Sequence, residues 1–134
     1  MITYTILIVD DDPDDIEILR SAFHEVGARE IQGVLSMPQA LDYLQSIEDI
    51  NDLPKLIITD LNMPGQNGYE LLRFLKASPR YRHIPVIVCS TSVSCKEKET
   101  SLSLGAIDYI PKPVLVEDYK NLAAKMVARI NIDV

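Results

Sequence analysis

The chain has 134 residues, of which 47% are hydrophobic, so one compact domain with its own core, spanning 1–134, is expected and a second domain does not fit. Its net charge of −7, from 13 Lys and Arg against 20 acids, argues against a direct nucleic-acid partner, because phosphate binding needs clustered cations. No apolar stretch approaches the ~20 residues of a membrane span and no basic leader region precedes the first strand, so we expect a cytoplasmic protein with no membrane contact.

Five short apolar runs rich in β-branched residues predict strands, and each is followed by a segment of helical character. The predicted strands are 4–9, 31–35, 55–59, 85–89 and 107–110. Strands that alternate with helices indicate βαβ units and a mostly parallel sheet. The first, third and fourth runs are nearly continuous, as in strands covered on both faces, so right-handed crossovers predict a three-layer α/β/α sandwich.

The first helix follows an acidic run, VDDDPDD, at residues 9–15. Asp12 before Pro13 is typical of a helix N-cap with proline at the first helical position. Asp14 and Asp15 then fall in the first turn, where the helix dipole favours negative charge, so these two carboxylates are interpreted as structural. The apolar stripe of this helix comprises Ile16, Leu19, Phe23 and Val26.

Three helices are predicted in the middle of the chain, at about 37–47, 68–77 and 94–104. In the last of these, Ser94 and Glu97 form a capping box, but the apolar content is low. We therefore expect it to be the most loosely held helix.

The final helix, roughly 115–131, should cover the sheet with one apolar face. The residues of that face are Leu115, Tyr119, Leu122, Met126 and Ile130. Val116 and Val127 lie off this stripe and suggest a homodimer face.

Polar residues follow the predicted strands at the point where each strand ends. Asp10 and Asp11 follow the first strand, Asp60 the third and Ser90 the fourth, and Lys112 lies just past the fifth. Because the carboxyl ends of parallel strands meet at one edge, where ligands of such sheets bind, these side chains should converge.

Three carboxylates at one edge need a counter-charge, since two at 4 Å repel by about 4 kcal/mol at an effective dielectric constant near 20. Their hard oxygens favour Mg²⁺, Mn²⁺ or Ca²⁺, and the few protein ligands favour Mg²⁺, which often shares its shell with a phosphate. The glycines form neither G-x-x-x-x-G-K nor G-x-G-x-x-G, so a bound nucleotide is not expected. An aspartate carboxylate can itself accept a phosphoryl group.

Four motifs, ILIVDDD, LIITDLNMPGQNGYELLRFLK, PVIVCST and GAIDYIPKP, are distributed along nearly the whole chain. In this order and spacing the sequence resembles the receiver domains of two-component response regulators, in particular the stand-alone, chemotaxis-receiver-like type. The resemblance implies a flavodoxin-like fold with a five-stranded parallel sheet in the order 2-1-3-4-5.

The resemblance also implies a role for each matching residue. Asp60 corresponds to the phosphoacceptor, Asp11 to the direct Mg²⁺ ligand and Asp10 to the ligand that acts through water. Asn62 would lend its backbone carbonyl to the metal, and Mn²⁺ would substitute for Mg²⁺. Lys112 corresponds to the phosphate-binding lysine.

The remaining matches concern switching and partners. Ser90 corresponds to the switch hydroxyl and Tyr109 to the switch aromatic, which turns inward on phosphorylation; the Lys112–Pro113 bond is characteristically cis. The phosphoryl donor would be a histidine kinase or phosphotransfer protein, and the domain would catalyse only its own phosphorylation and dephosphorylation. The stretch SPRYRHIPVIV is similar to that of short regulators that serve phytochrome-type kinases.

Two other functions are considered. Asp10 and Asp12 form D-x-D after the first strand, as in haloacid-dehalogenase-like phosphatases, where Asp10 would be the nucleophile. The third possibility is an interaction module on the same fold that works without phosphorylation.

Overall fold

The structure is a computed structural model that describes residues 5–63, 67–92 and 94–130. Strands and helices alternate through these residues. In chain order they are β1 Thr5–Val9, α1 Pro13–Glu25, β2 Glu30–Val34, α2 Met37–Ser46, a short 3-10 helix Ile50–Asp52, β3 Leu56–Thr59, α3 Gly68–Ala77, β4 Val86–Ser90, α4 Cys95–Ser103, β5 Asp108–Pro111 and α5 Asp118–Ile130. Within the described ranges, no helix is both long and apolar enough to cross a membrane.

The strands form one parallel sheet in the order β2-β1-β3-β4-β5, which confirms the predicted order. β1 lies between β2 and β3, with Val9 opposite Val34 on one side and Thr59 on the other. Consecutive strands along the chain are joined by helices, as parallel pairing requires. All strands therefore end at the same edge of the sheet.

Helices cover both faces of the sheet, because alternate residues of each central strand point to opposite sides. Leu7 and Val9 join an apolar cluster with α2 and α3, whereas Ile6 and Ile8 join a second cluster with α1 and α5. Every residue of β3 and β4 is buried, as the continuous apolar runs predicted. The three-layer sandwich is thus confirmed.

The helix termini follow their capping residues closely. Asp12 has an extended backbone and its side chain accepts a hydrogen bond from the Asp14 N–H, with Pro13 at the first helical position. Ser94 caps α4 in the same way, since its hydroxyl accepts from the Glu97 N–H. Both helix starts were predicted from the sequence.

The last helix differs from the prediction in its start and its buried face. It begins at Asp118, so Leu115 and Val116 precede it and are exposed, while Val127 is buried. The buried positions Tyr119, Leu122, Ala123, Met126 and Val127 form a wider stripe at i, i+3, i+4, i+7 and i+8. Val127 faces the core and cannot belong to a homodimer face; the side chain of Ile130 lies outside the described part.

Gly68 allows α3 to begin directly against the end of β3. A Cβ atom at this position would lie 2.3 Å from the Asp60 carbonyl oxygen, a distance that no side chain tolerates. The Gly68 N–H donates to the Leu61 carbonyl at 3.0 Å. The glycine thereby holds the chain after Asp60 close to the sheet edge.

Candidate functional site

Neighbouring strands fix the backbone of the residues that follow β1, β3 and β5. The Asp10 N–H donates to the Val34 carbonyl at 3.1 Å and the Asp60 N–H to the Val9 carbonyl at 3.0 Å. The Lys112 N–H donates to the Ser90 carbonyl at 2.7 Å. Each functional residue thus starts from a backbone position that the sheet ladder determines.

The Lys112 ammonium is the centre of the site. Its Nζ lies 2.8 Å from Asp10 Oδ2, 2.8 Å from Asp15 Oδ2 and 3.1 Å from Asp60 Oδ2. An ammonium carries three N–H groups, and the contacts of Lys112 with Asp15 and Asp60 have hydrogen-bond geometry. The Lys112 side chain is only 7% exposed, so water does little to screen these contacts.

This arrangement shifts two pKa values. Burial alone lowers the pKa of Lys112, but the hydrogen bonds to Asp10 and Asp15 and the charges of Asp10 and Asp60 outweigh it, so the pKa is raised and the ammonium stays charged. Burial raises the pKa of Asp10 above its ordinary value, although the hydrogen bond from Lys112 acts in the opposite direction. A further positive charge beside Asp10 would favour its ionised form.

Asp60 is held at both carboxylate oxygens. Oδ1 accepts the Leu61 N–H at 2.7 Å and the Asn62 N–H at 3.3 Å, while Oδ2 accepts from Lys112. The carboxylate orientation is therefore set by two backbone donors and one ammonium before any ligand arrives.

Three carboxylates also form a group with the dimensions of a metal site. One oxygen each of Asp10, Asp11 and Asp60 lies within 4.8 Å of the other two. Ligand oxygens on octahedral Mg²⁺ are about 3 Å apart when adjacent and about 4 Å when opposite, given bonds of about 2.0–2.1 Å. A small shift of exposed Asp11 would bring the set to that size, so the donor set fits a hard divalent cation.

Ser90 and Tyr109 make a separate group at the end of β4. Ser90 is fully buried and its hydroxyl oxygen accepts the Ser92 N–H at 3.3 Å. The Tyr109 hydroxyl lies 2.7 Å from the Ser92 carbonyl and 3.1 Å from Glu97 Oε1, and its single proton can be donated to one of them. The Tyr109 ring is 5% exposed, so it already occupies the inward position that was expected only after phosphorylation.

With this geometry established, the chain can be compared with known proteins. A family model described as "Response regulator receiver domain" matches residues 6–124, which is most of the chain. This protein belongs to that family. Two-component response regulator ORR13 of Oryza sativa subsp. japonica is 37% identical over 113 residues, or 84% of this receiver domain and 89% of the rice protein. The family predicted from the four motifs is therefore confirmed.

Solved structures agree with this receiver fold. The phosphorylated cyanobacterial phytochrome response regulator RcpA superposes with a TM-score of 0.84 at 26% identity, covering 96% of this chain and 94% of that one. Response regulator RPA3017 in red light signaling of R. palustris gives a TM-score of 0.81 at 30% identity, with 93% and 92% covered. The flavodoxin-like topology is thus shared across nearly the full length.

The structure gathers most of the predicted site residues and adds one. Asp10, Asp11, Asp60 and Lys112 lie together, whereas the position of the Asn62 carbonyl relative to them stays a prediction. Asp15 was interpreted as a structural helix residue, yet it bonds Lys112 across 97 positions of the sequence. The available signal was its place one helical turn after Asp11, immediately before the buried Ile16.

One backbone prediction is wrong. Cis peptide bonds are absent from the described ranges, so Lys112–Pro113 is trans, which is the form that X-Pro bonds prefer.

Proposed function

We propose that this receiver domain accepts a phosphoryl group on Asp60 from a phosphohistidine of a histidine kinase or phosphotransfer protein. The observation that supports this proposal most directly is the contact between Asp60 Oδ2 and Lys112 Nζ, which lie 3.1 Å apart. The carboxylates of Asp10 and Asp11 lie beside this contact. Membership of the receiver family supports the same reaction.

In this reaction an Asp60 oxygen attacks phosphorus, an O–P bond forms, and the N–P bond of phosphohistidine breaks, releasing the imidazole. Lys112 neutralises a phosphoryl oxygen as negative charge spreads over the transferring group. Asp10, Asp11, Asp60 and the Asn62 carbonyl would hold Mg²⁺, or Mn²⁺ in its place, which supplies further charge neutralisation when bound. Water later cleaves the O–P bond and restores Asp60, so the domain turns over no separate substrate.

The signal would leave the site through Ser90 and Tyr109. Ser90 can reorient its hydroxyl from the Ser92 N–H toward the new phosphoryl oxygens, which are strong acceptors. The Tyr109 position seen here, bonded to the β4–α4 segment, is the one that phosphorylation stabilises. Phosphorylation then shifts an existing equilibrium of α4 and β5 instead of creating a new fold.

A phosphatase with Asp10 as nucleophile is disfavoured by the position of Asp12, which would have to act as its proton donor. The Asp12 Oδ1 accepts the Asp14 N–H at 2.9 Å. The Asp12 carboxylate caps α1, which leaves it poorly placed as a proton donor for Asp10.

Labelling with a small phosphodonor tests the proposal. Phosphoramidate with Mg²⁺ should add one phosphoryl mass to the intact protein, and Asp60→Asn should remove this label while Asp10→Asn slows it. Label that persists in Asp60→Asn but vanishes in Asp10→Asn would favour the phosphatase. Absence of both label and Mg²⁺ binding in the unaltered protein would favour the phosphorylation-independent module.

We further propose a phytochrome-type kinase as the donor. Support comes from RcpA and RPA3017, whose descriptions connect those two proteins with phytochrome and red light. Phosphotransfer profiling against a panel of purified histidine kinases should give the fastest transfer from a phytochrome-type member. Faster transfer from a kinase of another class would contradict this.

A further inference from the structure

Among the described residues, Asp15 is the one carboxylate in contact with Lys112 that does not belong to the Asp10, Asp11 and Asp60 group. Its Oδ2 lies 2.8 Å from Lys112 Nζ, as close as Asp10 and closer than Asp60. The Asp15 side chain is 23% exposed, so the pair is largely shielded. A shielded ion pair keeps its two side chains in position more firmly than an ion pair that is fully exposed to solvent.

The other two partners of Lys112 have a second task in the proposed reaction. Asp10 and Asp60 would also hold a divalent cation, and Asp60 would carry the new phosphoryl group. Their bonds to the ammonium must then weaken or be exchanged. Asp15 has no such competing task, so its bond to Lys112 can persist throughout.

Asp15 also stands on a rigid support. Asp12 and Pro13 define the start of α1, and the next residue, Ile16, is buried in the core. A site residue on a capped and packed helix keeps its geometry better than one on a loop.

We propose that Asp15 is a positioning residue that holds the Lys112 ammonium beside Asp60 during phosphoryl transfer. This inference rests on the proposed phosphorylation of Asp60 and adds to it a residue that acts through Lys112. In this role Asp15 acts through Lys112 and lies outside the group of Asp10, Asp11 and Asp60.

The chain offers a matched control for this role. Asp14 occupies the same first turn of α1 and is exposed, so it shares the interaction with the helix dipole. Within the part of the chain that the structure describes, its carboxylate makes no ion pair with Lys112. Asp14→Asn and Asp15→Asn therefore remove the same charge from the same turn, and only the second removes the contact.

The test compares these variants with Asp15→Glu, using phosphoramidate and intact-mass detection at saturating donor and Mg²⁺. We expect Asp15→Asn to label about tenfold more slowly, the size of one lost hydrogen bond to a charged group. Asp14→Asn should match the unaltered protein and Asp15→Glu should recover part of the rate. Calorimetric titration should give Asp15→Asn an unchanged Mg²⁺ affinity.

Several outcomes would overturn the inference. Equal rates for Asp15→Asn and Asp14→Asn would make Asp15 a helix-start residue only, and a matching loss of Mg²⁺ affinity would make it a metal ligand. In a Lys112→Met background Asp15→Asn should have no further effect; a further loss would show that it does not act through Lys112. If the unaltered protein takes no label, the proposed function itself is wrong. If the unaltered protein is labelled but Asp14→Asn and Asp15→Asn react at the same rate, only the role proposed for Asp15 is wrong.

Discussion

Helices α1 and α4 begin in the same way but are held very differently. Each has a side-chain N-cap that accepts from the backbone, Asp12 in α1 and Ser94 in α4. α1 buries Ile16, Leu19, Ala22 and Phe23, whereas α4 buries only Ser101, whose hydroxyl has no hydrogen-bond partner among the described residues. Local sequence signals start a helix, but burial of an apolar face decides how firmly it is held.

The two helices also carry different parts of the proposed mechanism. α1 presents Asp15 to Lys112, which also contacts Asp60, and α4 presents Glu97 to Tyr109. The reaction chemistry thus lies on the firmly packed side and the proposed response on the loosely packed side. A helix with little buried apolar surface can shift at small energetic cost, which suits a switching element.

The largest expected difference between the α1 side and the α4 side of the molecule is in the reactivity of the two cysteines. Cys89 belongs to the apolar cluster under α1 and is 2% exposed, whereas Cys95 is the first residue of α4 and is exposed. A thiol reagent at pH 8.5 should modify Cys95 quickly and Cys89 at least about 10⁴-fold more slowly, because Cys89 reacts only when the core opens.

The pH dependence of this labelling follows from the Cys89 thiol. Burial raises its pKa from 9.0 to about 12, so the unfolded chain loses this proton first. The Cys89 contribution therefore lowers the stability of the fold as the pH rises from about 9 to 12, and Cys89 labelling should accelerate there. Cys95→Ser should leave a single slow thiol; two fast thiols in the unaltered protein would contradict the contrast.

Truncation of one apolar side chain on each helix compares how much the packing of α1 and of α4 contributes to the free energy of unfolding. Phe23→Ala in α1 should lower the free energy of unfolding by about 3–5 kcal/mol, because the ring is completely buried and a cavity remains. Leu102→Ala in α4, where the side chain is 41% exposed, should cost less than about 1 kcal/mol. Urea unfolding of both variants gives the difference; similar losses would show that α4 is as tightly packed as α1.

Much of this molecule could be predicted from the sequence, because the informative signals are local. Continuous apolar runs located β1, β3 and β4. The residues that follow β1, β3 and β5 included Asp10, Asp60 and Lys112, and a parallel sheet brings all strand ends to one edge. The motifs then supplied the strand order.

Contacts between distant segments could not be predicted in the same way. The position of Asp15 in the first turn of α1 is explained locally by the helix dipole, and only the packing of α1 on the sheet beside α5 brings it to Lys112. The exposure of Leu115 depends on where α5 begins, which no capping residue marked, and the burial of Val127 depends on how wide a face of α5 is covered. The inward position of Tyr109 depends on contacts with Ser92 and Glu97 that hydrophobic periodicity does not report.

The smallest expected effect concerns the attachment of α4 through Tyr109. Tyr109→Phe keeps the buried ring but removes the hydroxyl that contacts Ser92 and Glu97. Loss of one hydrogen bond of about 1 kcal/mol should speed amide exchange in residues 94–103 by roughly fivefold, while exchange in α1 stays unchanged. Tyr119→Phe is the matched control, because this buried tyrosine lies in the cluster with α1 and α5. Hydrogen exchange followed by mass spectrometry measures the rate in each helix separately. Unchanged exchange in α4, or equal acceleration in α1, would mean that the Tyr109 hydroxyl does not secure α4. The hydroxyl could then not carry a signal from Ser90.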